Sequence, residues 1–132
     1  TVRSSPKVSA SRQRAGRLGK DLRRVLQPLL RHQVFLRGTL YELRTRCGKP
    51  TCACAASDEK RHRRWVLSYT VDGKKRMRVV PLERLAEWRR WAANAREFRT
   101  RRARVAEMTR QILEDLDIIE RGQRRDPDKR AP

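Results

Sequence analysis

Acidic residues are scarce in this sequence: 15 Asp or Glu stand against 35 Lys or Arg among 132 residues, a formal net charge of +20. A compact fold with that excess repels itself unless a polyanion lies nearby. Aromatics are also few, at 5%, and hydrophobic residues reach only 37%. A wide globular core is thereby excluded, so long helices, thin layers or an outside partner must complete the burial. No stretch approaches the roughly 18 apolar residues that a membrane-spanning helix needs. The start, TVRSSPKVSASRQRAGRLGK, has no apolar run of the secretory kind and reads as a basic tail that touches phosphates. Cysteines number three, all between positions 47 and 54. An odd, clustered set argues against a disulfide framework and for a reducing compartment, here read as cytoplasmic and nucleoid-associated.

What is present reads as an α+β protein. The pattern predicts an N-terminal helix, a small three-stranded antiparallel sheet with a zinc knuckle, and a long C-terminal helix of coiled-coil type. Residues 1–12 are expected to be a disordered basic tail and 123–132 a disordered tail. Between them, 13–122 is expected to form a single zinc-stabilised domain. Its helix (13–33) rests on Leu18, Leu22, Val25, Leu26, Leu29 and Leu30 at helical spacing, with Pro28 expected to kink or divide it. The sheet and zinc loop (34–80) rest on alternation of Phe35, Thr39, Tyr41 and Leu43, on RWVLSYTV, and on Asp72-Gly73 as a tight hairpin turn. No Pro or Gly interrupts the long helix (82–121), and Gly122 stands where a C-cap is expected. Its seam reads Trp88, Trp91, Ala95, Phe98, Arg102, Val105, Thr109, Ile112, Leu116 and Ile119. The first helix is too short to cover that seam throughout, so a homodimer through Val105–Ile119 is expected to complete it.

Cys47, Cys52, Cys54 and His62 follow the pattern C-x4-C-x-C-x7-H. Zinc takes four such ligands at tetrahedral corners, and short spacings bring them together from one loop. Gly48 and Pro50 favour a turn between the first two cysteines, and Ala53, Ala55 and Ala56 let the backbone wind closely around an ion. The surrounding Lys, Arg, Asp and Glu offer nothing apolar against which three thiols would be buried. His62 is the nearest fourth ligand, with His32, Asp58 or water as alternatives. Such a closed Zn2+ site is structural, replacing the core that the composition withholds.

The runs FLRGTLYELRTRCGKPTCAC, His62-Arg-Arg-Trp65, VLSYTVDGKKRMRVVP and LERLAEWRRWAANAREFR resemble a family of small uncharacterised bacterial proteins. That family carries an F-x-RGSL…RCGK-x-x-C-x-C…H-G-P-Y pattern, a hairpin with GGK and a Trp-bearing C-terminal helix. The match spans about Phe35 to Phe98 and includes Cys47, Gly48, Lys49, Cys52, Cys54 and His62. The Gly-Pro that usually follows the histidine is Arg63-Arg64 in this chain, which adds two positive charges beside the loop. Members are often encoded beside transposases and phage-type integrases, so the resemblance implies an accessory role in mobile elements.

Nucleic-acid binding is the leading functional expectation, with DNA favoured over RNA by that resemblance. Arginine suits bidentate phosphate contacts and guanine edges. The candidate contacts are Arg12, Arg14, Arg17, Lys20, Arg23 and Arg24 in the first segment, and Lys49, Arg61, Arg63 and Arg64 at the loop. Lys74, Lys75, Arg76 and Arg78 add a basic hairpin. Trp65 and Tyr69 read first as sheet core and second as base-stacking platforms. The alternative expectations are an RNA-binding subunit, or an assembly adaptor whose long helix docks on a recombinase, transposase or ribonucleoprotein. Catalysis is not expected, because the acids are scattered and no open metal position or activated nucleophile is in view.

Overall fold

The computed structural model describes residues 5–128. Its elements run α1 (Pro6–Leu29), β1 (Thr39–Thr45), β2 (His62–Val71), β3 (Lys74–Val79) and α2 (Leu85–Gln123), with short 3-10 turns at Ala53–Ala55, Asp58–Lys60 and Leu82–Arg84. This is the expected α+β arrangement. The described residues pack as two compact units, one of the residues up to 32 together with those from 98 onward, the other of residues 33–97. The division arises because α2 is long enough to contribute its first turns to one unit and the remainder to the other.

In the first unit α1 begins at Pro6, not at residue 13. Ser5 caps it, its hydroxyl accepting the Val8 N–H, and Pro6 occupies the first turn, where a missing N–H costs nothing. The expected disordered tail is therefore helical from residue 6, and residues 1–4 of that segment lie outside the described residues. Pro28 sits in the last turn and the helix stops one residue later, at Leu29, so the proline ends α1 instead of kinking it.

Helix α1 packs antiparallel to the distal half of α2, as Val8 lies against Gly122 and Arg14 binds Asp115. Gly122 is helical and is not a C-cap: a β-carbon there would overlap Val8, so the glycine serves close helix approach. The same contacts fix the phase of the α2 seam. Met108 and Asp115 are buried, whereas Arg102, Thr109 and Leu116, expected in the seam, are exposed. The sequence reading stepped four residues on from Phe98, and the helix steps three, to the half-buried Arg101.

Arg14 Nε donates to both Asp115 oxygens, at 2.9 and 3.0 Å, with Asp115 only 1% exposed. The Arg14 guanidinium holds the Asp115 carboxyl below its ordinary 3.8; burial opposes this, and Ser11 adds a smaller lowering. A folded value below the unfolded one means that the pair stabilises the hairpin above pH 3.8 and that this support is lost as pH falls through the depressed value. Glu107 is likewise lowered, to about 2, chiefly by Arg110. Asp115→Asn is expected to lower the melting temperature by several degrees at neutral pH and to flatten its decline below pH 4. Thermal melts followed by circular dichroism across an acid series check both.

The second unit is built on the sheet β1-β2-β3, antiparallel throughout, with β2 central. Asp72 and Gly73, both at positive φ, form the expected two-residue turn. Strand β1 starts at Thr39 and not at Val34, because Gly38 turns the chain at φ +105 and residues 34–36 instead run along α2. There the Leu36 N–H donates to the Trp91 carbonyl at 3.2 Å, and the Asn94 side chain donates to the Val34 carbonyl at 3.3 Å. A β-carbon at residue 38 would overlap the Ser68 carbonyl and Tyr69. Gly38→Ala is therefore expected to cost at least about 1–3 kcal/mol, the usual range for one residue forced into a sparse backbone region. Chemical denaturation monitored by tryptophan emission measures it.

Leu67, Val80 and Trp88 form the buried core of this unit, ringed by Leu36, Leu40, Trp65, Tyr69, Leu85 and Trp91. Trp65 and Tyr69 thus belong to the core side of the sheet. The Arg89 guanidinium lies 4.2 Å from the centre of the Trp65 ring. On the other face Val66 is buried between its cross-strand neighbours Tyr41 and Val79.

Candidate metal centre and basic surface

The register of the β1–β2 ladder brings the first and last ligand residues together. Thr45 pairs with His62, so Cys47 leaves the end of β1 beside the residue that opens β2. Gly48, at φ +83, reverses the chain, and the Cys52 N–H donates to the Lys49 carbonyl at 3.1 Å. The 3-10 turn Ala53–Ala55 then folds Cys54 inward, where it is 1% exposed. Alanines at 53, 55 and 56 permit this winding because no side chain beyond Cβ crowds the turn.

Cys47 Sγ and Cys54 Sγ are 3.5 Å apart, and Cys52 Sγ and His62 Nε2 are 3.4 Å apart. All four donor atoms lie within 4.8 Å of one another, and the three cysteines are free thiols. A metal at about 2.3 Å from each sulfur and 2.0 Å from nitrogen sets tetrahedral edges of about 3.5–3.8 Å. The two shortest separations match such edges and no pair of donor atoms is more than 4.8 Å apart, so the four residues form a site able to bind a metal. His62 completes the group; Asp58 is paired with Arg61 at 2.7 Å, and neither it nor His32 joins the cluster.

Electrostatics favour the ligand form of Cys52. Its pKa is pushed down to about 6, first by the backbone N–H of Cys54 and then by the Cys54, His62 and Cys47 side chains. The thiolate is the species that binds a metal, so this cysteine is poised as a ligand at neutral pH. Cys54 is shifted up: the Cys47 N–H lowers it, but burial and the two neighbouring thiols together outweigh that bond.

Residues 12–90 match a family described as a domain of unknown function (DUF6788). The chain belongs to that family. The DUF6788 match takes in most of α1, the whole sheet, all four ligand residues and the first turns of α2. Neither a curated protein nor a solved structure matches the chain.

Within the DUF6788 segment the basic candidates fall into two sets. Some are paired with acids: Arg14 binds Asp115, Arg61 binds Asp58, Arg63 reaches Glu42 at 3.5 Å and Arg24 reaches Asp21 at 3.9 Å. Arg12 donates to Gln123. The others form no ion pair among the described residues. Arg17, Lys20 and Arg23 are exposed on α1, Lys49 is exposed in the ligand loop, and Arg64 is exposed on β2. Strand β3 is exposed along its whole length, with Lys74, Arg76 and Arg78 on one face and Lys75 on the other. A charged edge strand of this kind resists pairing with another sheet and also presents evenly spaced cations.

Sequence reading overlooked Arg44, Arg46 and Arg89. Arg46 immediately precedes Cys47, which was a readable signal. Arg44 opposes Arg63 across the ladder, and Glu42 sits 3.5 Å from both; that bridge and the Arg89–Trp65 stack depend on strand pairing and on tertiary contact.

Proposed function

We propose that this protein is a zinc-stabilised, basic nucleic-acid-binding accessory protein that contacts DNA phosphates. The observation that carries the reading is the row Lys74, Arg76 and Arg78 on an exposed edge strand, without an ion pair among the described residues, in a chain of net charge +20. Side chains at alternate strand positions stand about 6.6–6.8 Å apart, which suits contacts along a polyanionic backbone. Arg17, Lys20 and Arg23 offer a second set of cations on α1.

Zinc is the metal favoured by a Cys3His donor set whose four donor atoms lie within 4.8 Å of one another. Cys47, Cys52, Cys54 and His62 would hold it, and four protein ligands leave no open position for substrate, so its part is structural and the protein a binder, not an enzyme. No helix among the described residues is long and apolar enough to cross a membrane, and the proposed place of action is the nucleoid. The resemblance to proteins encoded beside transposases and integrases supports a role within a recombination complex.

Titration of the zinc-loaded protein with duplex DNA, duplex RNA and single strands over a salt series tests this. DNA affinity is expected to fall linearly on log–log axes, with a slope near −0.9 for each phosphate neutralised. Binding that ignores salt, or no binding to any nucleic acid at low salt, would sink the reading; a stronger RNA response would reassign its partner.

A further inference from the structure

The sheet has one covered face and one open face. Leu40, Trp65, Leu67 and Tyr69 lie on the side where Leu85, Trp88 and Trp91 of α2 pack. Side chains alternate along a strand, so the positions between them share the other face. There the register brings together Tyr41 of β1, Arg64 and Val66 of β2, and Lys75, Met77 and Val79 of β3. Met77 and Val79 are each 53% exposed, so this face stays open over β3.

Tyr41 does not stand upright on it. Neighbouring strands lie about 4.8 Å apart, which sets β1 and β3 roughly 9.6 Å from each other across β2. The Tyr41 hydroxyl nevertheless donates to Met77 Sδ at 3.7 Å. The side chain therefore lies across β2, and one side of its ring covers Val66, which is only 3% exposed. Tyr41 as a whole is half-buried, so the other side of the ring faces solvent. Sequence reading gave a stacking role to Trp65 and Tyr69, which lie on the covered face.

Charge on the open face has one sign. Glu42 is the one acid of the three strands, and its register with Trp65 puts it on the covered side. Arg64 precedes Val66 by one alternate position and Lys75 precedes Met77 likewise, at about 6.6–6.8 Å along each strand. Because β2 and β3 run antiparallel, the ring lies between these two cations. Neither forms an ion pair among the described residues.

We infer that this face takes the unpaired bases of a single-stranded nucleic acid, one base stacking on Tyr41 while Arg64 and Lys75 meet the flanking phosphates. The inference rests on the nucleic-acid reading above and adds to it the form of the strand and the face that holds it. Every base has a π-face to offer a flat ring, whereas a duplex keeps its bases stacked and presents phosphates. A second copy is the wrong occupant, because two such faces brought together would set cations against cations with no acid between them.

Titration of the zinc-loaded full chain with oligothymidylate, with duplex DNA as the reference, tests the inference. Tyr41→Leu keeps an apolar cover over Val66 but removes the ring, and should weaken oligothymidylate binding at least about fivefold, and duplex binding less. Tyr41→Phe keeps the ring and should retain the affinity. In the unaltered protein, an oligonucleotide carrying 5-iodouracil should become attached at Tyr41 on irradiation, read by mass spectrometry of the peptides. Oligothymidylate affinity indifferent to Tyr41→Leu, or attachment only at other residues, overturns the inference and leaves the phosphate reading standing. Failure to bind either nucleic acid overturns both. Tyr41-dependent binding to phosphatidylglycerol vesicles, or dimerisation, without oligothymidylate binding would overturn it too and give the face to lipid or to a second copy.

Discussion

Chelation is expected to unfold the sheet unit and to leave the helical hairpin standing. The hydrophobic cluster at the heart of residues 33–97 has three buried members, Leu67, Val80 and Trp88, too small a cluster to offset the entropy of ordering three strands and a seventeen-residue ligand loop (46–62). Structural zinc contributes on the order of 10–16 kcal/mol in small domains that depend on it, enough to decide whether such a unit folds. The hairpin has its own seam and its Arg14–Asp115 pair, neither of which touches a ligand residue. The tryptophans make the distinction measurable: Trp65, Trp88 and Trp91 are the chain's three, and all lie in the sheet unit. Metal removal by chelator, or Cys52→Ser, should shift tryptophan emission to the red while most of the helical ellipticity at 222 nm persists. Emission that stays unchanged after complete metal loss would show that the sheet stands without an ion.

The second large effect is expected from the edge strand. Replacing Lys74, Arg76 and Arg78 together by glutamine removes up to three phosphate contacts. The log–log salt slope for duplex DNA should become shallower by about 2.7, with affinity at low salt falling by orders of magnitude. The melting temperature should barely move, because all three are exposed and none forms an ion pair among the described residues. Arg14→Gln is the contrasting control: it breaks the pair with buried Asp115, so it should lower hairpin stability and leave the salt slope unchanged. A triple variant that binds DNA with an unaltered slope would move the interface elsewhere on the molecule.

The ligand set was legible in the sequence because its physics is local. Short spacings, a glycine at the reversal and small residues around the thiols all sit within one loop, and the structure gathers Cys47, Cys52, Cys54 and His62 from it. The Asp72-Gly73 turn was legible for the same reason. The α2 seam was harder to read, because a step of three or of four residues after Phe98 each finds one arginine, Arg101 or Arg102. Only the partner helix decides between them, through Val8 against Gly122 and Arg14 on Asp115. The start of α1 was missed by composition: a Ser/Arg-rich segment looks unstructured until its cap at Ser5 and its buried Val8 and Ser11 are counted. Nothing in the spacing distinguished Arg14, which holds the fold, from Arg17, which faces solvent, since that depends on what lies opposite.

The Arg14–Asp115 contact joins residues 101 positions apart, whereas every ladder pair of the sheet and all four ligands fall between residues 39 and 79. During synthesis the metal unit can therefore close while the distal part of α2 is still being made. Helix α1, which emerges before the sheet, has its partner only when the far end of α2 has emerged too, and until then its apolar side is bare. The order of assembly runs from the middle of the chain outward, and a chain cut short near residue 98 would keep its metal loop while α1 had nothing to pack on.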